Sequence, residues 1–368
     1  MSDEDHPPYE FLPGLDLSGA FYKEAVKPII DKHFPELTYS AARIGQGSDV
    51  LGFDTAQSMD HDWGPKLQIF LKDSDYGSLK DDLDKVLREE LPQEIRGFPT
   101  NFYTDENGSM GMKLNAKGPV NHGIMINTVS GFFIEYLGFN PTEDLRLIDW
   151  LVLPQQMLLS IANGRVFHDE LKKLKPIVTK LEYYPRDLWL YLLANQWERI
   201  AQEEAFMGRA GQVGDELGSR IVATRLISDI MRLCFLMERQ YAPYIKWFGT
   251  AFTKLNSAKT LTPLFMQIMT AGTWQERQDP LTKAYEYIAK MHNDLGITDY
   301  LTTQVSQFYN RPFMVIRAGK FADAIHAKIE DDEVKQLPKY LGAIDQYVDS
   351  TDVLSYTEKF RRFWSMYQ

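Results

Sequence analysis

Apolar residues in the first part of the chain recur at helix and strand spacings. Those between Leu17 and about His33 fall near one stripe, which predicts a helix with Asp16 as its cap. The run Tyr39–Ile44 predicts a short strand. The pattern DDLDKVLREEL predicts an amphipathic helix from Leu79 to Leu91, with its charges on the outer face.

Further strands are predicted in the next hundred residues. One should run from about Met59 to Leu71, with an interruption at Trp63-Gly64-Pro65, because proline has no N–H to donate and glycine often marks a bulge. The stretch Gly108 to Gly111 predicts a loop or hairpin tip. The run Gly123–Val129 predicts another strand, followed by a helix.

Beyond residue 150 the pattern is helical nearly throughout. Asp187 should cap a helix that ends near Met207, and a second helix should run from about Asp215 to Arg239, so we expect an antiparallel pair. The connector GRAGQVGDELG holds four glycines but lacks the Gly-Lys-Ser/Thr ending of a phosphate loop, which favours a helix-to-helix turn. Further helices are predicted around LFMQIM, AYEYIAKM, KFADAIHAKI and YTEKFRRFWSMY.

These elements predict an α+β fold in two domains. A small mixed β-sheet with flanking helices should occupy residues 1–150. A large all-α domain should follow over residues 151–368, with a bundle at about 185–255 and the C-terminal helices beyond it. The last third of the chain would form either an acceptor pocket or an oligomer surface.

Composition limits the partners of this fold. The chain has 40 basic and 51 acidic residues and a formal net charge of −11, which makes a polynucleotide the less favoured partner. Its one cysteine, Cys234, cannot form an internal disulfide and favours a reducing, cytoplasmic compartment. The acidic start MSDEDHPPYEFLPG lacks a signal-peptide pattern, and no segment has the apolar length needed to span a bilayer, so we expect no membrane partner.

The most informative chemistry lies in IGQGSDVLGFDTAQSMDHDWGPKLQIFL. On a strand, Asp60 and Asp62 would share one face because side chains alternate, and His61 would point to the other. Two carboxylates on one face favour a bound cation. The Gly47-Ser48 turn upstream offers backbone N–H groups and a hydroxyl, which can hold a phosphate beside that cation. The combination predicts phosphoryl chemistry.

The spacing of Gly47-Ser48 and Asp60-x-Asp62 resembles the signature of the nucleotidyltransferase superfamily. The longer run to Leu71, with LPQQMLLSIANGRVFHDE, YYPRDLWLYLLANQWERIAQEEAFMGRAGQVGDELGSR and YAPYIKWFGTAF, resembles a domain-of-unknown-function family within it. More distantly, the architecture resembles aminoglycoside (kanamycin-type) nucleotidyltransferases. These resemblances imply a nucleotidyltransferase core that uses one or two Mg²⁺ ions and a nucleoside triphosphate. The expected reaction is transfer of a nucleoside monophosphate to a small-molecule hydroxyl, with release of pyrophosphate.

The resemblance leaves the third metal carboxylate open. Many members of the superfamily carry it on a later strand, which here has the sequence GIMINTV. Asn127 could take the position, Glu135 could reach it from the following helix, or Asp60 and Asp62 could suffice alone.

Charged residues in the helical region are further candidates. In aminoglycoside nucleotidyltransferases a helical-domain glutamate is the general base, and Glu203 or Glu204 would be its counterpart. Arg220 is a candidate for binding nucleotide phosphates, and so is Lys246, because a lysine among aromatic residues needs an anionic partner. The alternative is a set of helix-surface ion pairs such as Arg225 with Asp229 at (i, i+4) spacing.

Three other interpretations stay open at the level of sequence. A nucleotide-binding sensor or scaffold could use the same turn and carboxylates without turnover. The acceptor could also be a protein hydroxyl or an RNA end. A surface role for Asp60 and Asp62 in an interaction module is a third interpretation.

Overall fold

The chain divides into two compact units in the computed structural model, which describes residues 10–106, 108–114 and 118–367. Unit 1 comprises the chain up to Asp144 together with Met157–Glu182. Unit 2 comprises Leu145–Gln156 together with Tyr183 to the end. The division therefore differs from the single boundary near residue 150 that the sequence predicts. Most of the acidic N-terminal segment, residues 1–9, lies outside the described residues.

The strands, numbered in chain order, are β1 Tyr39–Arg43, β2 Lys66–Leu71, β3 Glu94–Ile95, β4 Phe98–Pro99, β5 Phe102–Thr104, β6 Met110–Met112, β7 Gly123–Thr128, β8 Arg165–Asp169, β9 Ser306–Gln307 and β10 Met314–Val315. The α-helices of unit 1 are α1 Gly14–Phe21, α2 Lys27–His33, α3 Ser48–Leu51, α4 Asp73–Glu90, α5 Val129–Leu137 and α8 Leu174–Lys180. Those of unit 2 are α6 Leu147–Val152, α9 Arg186–Glu203, α10 Phe206–Gln212, α11 Glu216–Met237, α12 Ile245–Phe252, α13 Ala258–Thr270, α14 Trp274–Asp294, α15 Gly319–His326, α16 Asp332–Lys335, α17 Thr351–Ser355 and α18 Thr357–Phe360. Helix α7, Gln155–Ala162, begins in unit 2 and continues into unit 1.

A four-stranded mixed sheet is the centre of unit 1, in the order β7-β2-β1-β8. β1 is antiparallel to both β2 and β8, whereas β2 and β7 are parallel and pair from Lys66 with Gly123 to Leu71 with Thr128. The predicted fold class, a small mixed sheet with flanking helices followed by a large helical part, is confirmed. Strand β8 was not predicted, because its partly exposed residues lack a strong alternation and its pairing with β1 joins distant parts of the chain.

One face of this sheet packs against the first helices and α4. A π-helical turn, Tyr22–Val26, joins α1 and α2 into one continuous helical segment, so the predicted N-terminal helix is confirmed. The core between the sheet and these helices contains Leu17, Phe21 and Ile30 on the helices and Ile69 on β2, among others. Each large apolar side chain that is fully buried contributes roughly 1.5–3 kcal/mol. The predicted cap at Asp16 is wrong, because the helix begins earlier and Asp16 lies in its first turn.

The predicted strand from Met59 to Leu71 forms only in its second half, from Lys66. A 3₁₀ helix, Ala56–Asp60, replaces the first half, and an irregular segment leads from it to β2. Gly64 has φ +138°, and Pro65 cannot donate to a strand ladder, so these two residues end the pairing. Asp60 and Asp62 therefore do not lie on a strand, and the side-chain alternation expected there does not apply.

Unit 2 is built around α9, whose residues from Leu188 to Trp197 are all buried. The predicted antiparallel pairing of α9 with α11 is confirmed: the Trp189 indole donates to Leu236 O at one end of the pair, and Glu203 binds Arg225 at the other. Because α9 is buried on all sides over this stretch, it lies in the middle of unit 2. Within the described residues, no helix is long and apolar enough to cross a membrane.

The expected pair between Arg225 and Asp229 is not formed. Arg225 binds Glu203 of α9, and Asp229 instead accepts hydrogen bonds from Gln196 (3.1 Å) and Arg199 (2.9 Å) of the same helix. The sequence shows the (i, i+4) spacing within α11, but contact with α9 decides which partner each charge meets.

The connector between α9 and α11 is more helical than a simple turn. Gly208 and Gly211 lie inside α10, where a Cβ at Gly211 would be 2.2 Å from Trp274 Cγ. Gly214 turns the chain with φ +83°, and Asp215 caps α11 by accepting from the Gly218 N–H. Close packing and turning, rather than phosphate binding, account for this glycine pattern.

We predict that Gly211→Ala lowers the free energy of unfolding of unit 2 by about 1–3 kcal/mol, because the new methyl group overpacks against Trp274. The matched control is Gly77→Ala in the middle of α4, where a Cβ meets open space. This control should be neutral or stabilising by about 0.5–1 kcal/mol. Denaturant unfolding, followed by circular dichroism and tryptophan fluorescence, measures both. A Gly211→Ala variant as stable as the wild type would contradict the packing argument.

Candidate functional site

The Gly47-Ser48 turn follows β1 and is shaped by a buried ion pair. Gly47 has φ +144°, and a Cβ there would be 2.0 Å from Asp49 Oδ1 and 2.4 Å from Arg43 Nη2. Glycine is therefore required both by its backbone conformation and by the closeness of the pair. The short helix α3 begins at Ser48, immediately after this turn.

Arg43 and Asp49 form that pair with two parallel hydrogen bonds. Arg43 Nε donates to Asp49 Oδ2 (2.7 Å) and Nη2 donates to Oδ1 (2.8 Å), with both side chains nearly fully buried. Arg43 also donates to the carbonyl of Gln46 at 2.8 Å, so one guanidinium holds the start and the end of the turn. The sequence analysis missed this pair. Its signal was an arginine and an aspartate six residues apart on either side of Gly47.

A second carboxylate, that of Asp54, closes the loop behind the turn. Its Oδ2 accepts from the Gly14 backbone N–H (2.7 Å) and from the indole of Trp63 (3.0 Å). Trp63 is buried and lies next to Asp62 in the chain, so Asp54 ties the carboxylate segment to the start of α1. This contact was also missed, because it joins three segments that are distant in sequence.

The two predicted metal-binding carboxylates lie in the segment before β2. Asp60 is half exposed, and one of its oxygens is 2.7 Å from His61 Nδ1. The expectation that His61 points away from Asp60 is wrong, because no strand forms there. Asp62 has φ +53°, and its Oδ1 accepts from the N–H of Met110 (3.1 Å) in β6. A positive φ is uncommon outside glycine and is concentrated at functional sites and turns.

Lys66, the first residue of β2, contacts the carboxylate segment. Its ammonium donates to the backbone carbonyl of Asp62 at 2.8 Å. Burial and then the charge of Arg43 lower the pKa of Lys66, whereas the carboxylates of Asp62 and Asp49 act in the opposite direction. The same ammonium is therefore within electrostatic reach of both halves of the motif.

Asp60 and Asp62 can provide two of the ligands of a divalent cation. Within the described residues, the Oδ2 atoms of Asp60 and Asp62 accept no hydrogen bond, and exposed carboxylate oxygens are the ligands that Mg²⁺ prefers. No group of three His, Cys, Asp or Glu side chains suited to a metal occurs in the described ranges. A bound Mg²⁺ would therefore take its other ligands from water and phosphate, as this ion commonly does.

The two alternatives for a third ligand, Asn127 and Glu135, lie on β7 and α5. Asn127 pairs in register with Phe70, four residues along β2 from Lys66, and its Oδ1 accepts from the Thr128 N–H at 2.8 Å. It thus lies toward the end of the strand pair that is opposite to Asp62. Glu135 is exposed on α5.

The two candidate bases belong to unit 2 and have different surroundings. Glu203 binds Arg225, with the two Arg225–Glu203 contacts at 2.5 and 3.0 Å. Glu204 is buried and accepts backbone N–H groups from the segment that leads into α15, at 2.9 Å from Ile316, 3.0 Å from Arg317 and 3.3 Å from Ala318. Burial raises the pKa of Glu204 to about 7, although these hydrogen bonds oppose the shift.

The two basic candidates of unit 2 are exposed. Arg220 donates to the carbonyl of Gly272 at 3.1 Å. Lys246 lies over the ring of Trp247, with its ammonium 5.1 Å from the ring centroid. Lys246 is therefore at the surface of α12, and the expectation that aromatic residues surround it is not met.

The raised pKa of Glu204 predicts that the free energy of unfolding depends on pH. A pKa raised on folding means that its contribution to stability is complete below about pH 4.5 and is lost as the pH rises through 7. The wild type should therefore lose stability from pH 5 to pH 8, whereas Glu204→Gln should not. The difference in unfolding free energy between the variant and the wild type should grow by about 2 kcal/mol over this range, in favour of the variant. Denaturant unfolding at both pH values measures this difference.

The control for this prediction is Glu203→Gln. It removes the neighbouring carboxylate, which pairs with Arg225 and not with backbone N–H groups. It should not reproduce the gain at pH 8. A difference between Glu204→Gln and the wild type that stays constant with pH would contradict the assignment.

Comparison with known proteins adds a family match over part of the chain. Residues 150–248 match the model of the family described as "Domain of unknown function (DUF4037)". Among solved structures, a nucleotidyltransferase-like protein from Exiguobacterium sibiricum 255-15 aligns over 74% of this chain and 78% of its own, at 13% identity and a TM-score of 0.31, which is too low to establish a shared fold. No curated protein matches the sequence. The chain is thus similar to the DUF4037 family over residues 150–248, and the Gly47 to Asp62 motif precedes that match.

Proposed function

We propose that this protein is a nucleotidyltransferase, which moves a nucleoside monophosphate from a triphosphate to a hydroxyl of a small-molecule acceptor and releases pyrophosphate. The observation that supports this most directly is the position of Lys66. Its ammonium is within electrostatic reach of Asp49, beside the Gly47 turn, and of Asp62. This position of Lys66 supports our proposal that the Gly47 turn and the carboxylates of Asp60 and Asp62 act together in unit 1.

The turn has the donors that a phosphate needs. Within the described residues, the N–H groups of Gly47 and Ser48 and the Ser48 hydroxyl donate to no protein acceptor. Both residues are only half buried, so an anion could reach these donors. Arg43 holds the turn in place, which lets its donors bind without a further ordering cost.

Asp60 and Asp62 would hold the cation. When bound, Mg²⁺ neutralises charge on the phosphates and activates the acceptor hydroxyl. The chain's own contribution is to keep the two carboxylates, the turn and Lys66 at fixed positions. Asp62 is restrained by two hydrogen bonds with Met110, and Asp54 anchors the segment through Trp63.

A small acceptor is favoured over a polynucleotide by the net charge of −11. An RNA end or a protein hydroxyl is the alternative acceptor. A nucleotide sensor that binds without turnover is the alternative function.

The roles suggested for unit 2 remain proposals. Glu203 and Glu204 are the candidates for the base, and Arg220 and Lys246 are the candidates for phosphate contacts. Both carboxylates have partners within unit 2: Glu204 accepts three backbone N–H groups, and Glu203 accepts from Arg225 through both of its oxygens. Glu203→Gln, Arg220→Met and Lys246→Met, each assayed for kcat and KM, would test these roles singly.

We predict that Asp60→Asn/Asp62→Asn abolishes Mg²⁺-dependent binding of nucleoside triphosphate and the release of pyrophosphate, because both carboxylates leave the site. Calorimetric titration with each of the four nucleoside triphosphates, with pyrophosphate release followed in parallel, measures both effects. The matched control is Asp81→Asn/Asp82→Asn, which neutralises two adjacent exposed aspartates of α4 and should behave as the wild type.

The outcomes separate the alternatives. Binding that needs Asp60 and Asp62 but yields no pyrophosphate with any acceptor would favour the sensor. A folded wild-type protein that binds no triphosphate would reject nucleotidyl transfer. Equal binding by the wild type and the double variant would show that the nucleotide binds elsewhere.

A further inference from the structure

Two cations lie beside the Gly47 turn, and they differ in how far the protein satisfies them. Arg43 is buried and donates to Asp49 through two atoms and to the carbonyls of Ile44 and Gln46. Its donors are thus directed to the protein, and the carboxylate of Asp49 balances its charge. Arg43 has little capacity left for a ligand.

The ammonium of Lys66 has few partners among the described residues. An ammonium has three donors, and the one described acceptor for Lys66 is the carbonyl of Asp62. Among the described residues, no carboxylate lies within 4.0 Å of this ammonium. A partly buried cation without a close counter-ion is costly, which favours an anion from outside the protein.

The position of this ammonium is fixed by its surroundings. The stem of Lys66 passes Gly123 of β7, where a Cβ would be 2.8 Å from Lys66 Cγ. The ammonium lies 5.4 Å from the centroid of the buried Phe102 ring. Together with the hydrogen bond to Asp62, these contacts restrict the rotamers of Lys66, so an anion would meet a preorganised donor.

We propose that Lys66 binds the triphosphate tail of the nucleotide and then the pyrophosphate that leaves. This inference rests on the proposed nucleotidyl transfer and adds a residue to its site. In that reaction, the bond between the α-phosphorus and the bridging oxygen breaks, and a bond from the acceptor oxygen to the α-phosphorus forms. Pyrophosphate departs with the electron pair of the broken bond, and the acceptor's proton passes to the general base. Lys66 would oppose the charge that grows on the departing oxygens.

Asp62 would link the two charges of the site. Its backbone carbonyl accepts from Lys66, and its side chain is a predicted cation ligand. The left-handed backbone of Asp62 therefore sets the distance between the ammonium and the carboxylate. The tail would lie between them, held by the cation on one side and by Lys66 on the other.

The test uses inorganic tripolyphosphate with Mg²⁺, which contains the tail but no nucleoside and no transferable group. Calorimetric titration of the full chain should show binding that Lys66→Met weakens about tenfold or more, as expected for one lost charge-assisted hydrogen bond. Lys66→Arg, which keeps the charge, should stay within a few-fold of the wild type. The matched control is Lys72→Met, at the other end of β2, where the lysine is exposed and the affinity should not change.

The outcomes distinguish this inference from the proposed function. Unchanged tripolyphosphate binding by folded Lys66→Met, with pyrophosphate release still lost in Asp60→Asn/Asp62→Asn, would overturn the role of Lys66 alone. If no variant loses triphosphate binding, or if the wild type does not bind triphosphate, both the role of Lys66 and the proposed nucleotidyl transfer are rejected. Circular dichroism and the unfolding midpoint check each variant. If Lys66→Met does not fold, Lys66→Gln takes its place with the same expected loss.

Discussion

The buried ion pair of Arg43 and Asp49 is the interaction on which the candidate site depends. It joins the end of β1 to the start of α3 and closes the turn that carries Gly47 and Ser48. Removing one partner of such a pair costs about 3–5 kcal/mol, because the other charge stays buried without compensation. The pair therefore fixes the turn strongly, and the N–H groups of Gly47 and Ser48 donate to no acceptor among the described residues.

Buried carboxylates also join distant segments in unit 2, where they fix helix packing. Glu204 holds the segment that leads into α15, and Asp229 joins α11 to α9 through Gln196 and Arg199. Each is a buried carboxylate whose partners lie far away in sequence. These contacts fix how the helices of unit 2 pack.

Much of the candidate site could be predicted from the sequence, but not its geometry. Gly47 and the carboxylates of Asp60 and Asp62 stand out by residue type and spacing, since glycine is needed for the turn and acidic pairs favour cations. The strand expected to carry the carboxylates forms only from Lys66 onward, because Gly64 and Pro65 end the ladder. Lys66 itself gave no signal, since its role depends on Gly123 and Phe102, which lie on other strands.

The sequence by itself determined the elements whose pattern is local. Helices α9 and α11, strands β1 and β7 and the fold class follow from apolar periodicity over ten to twenty residues. Only the tertiary structure decided that β8 returns to pair with β1, and that the chain divides between interleaved segments. It also decided which carboxylate each cation meets. The physical reason is that a hydrogen bond or an ion pair depends on distances across the fold, which local spacing does not encode.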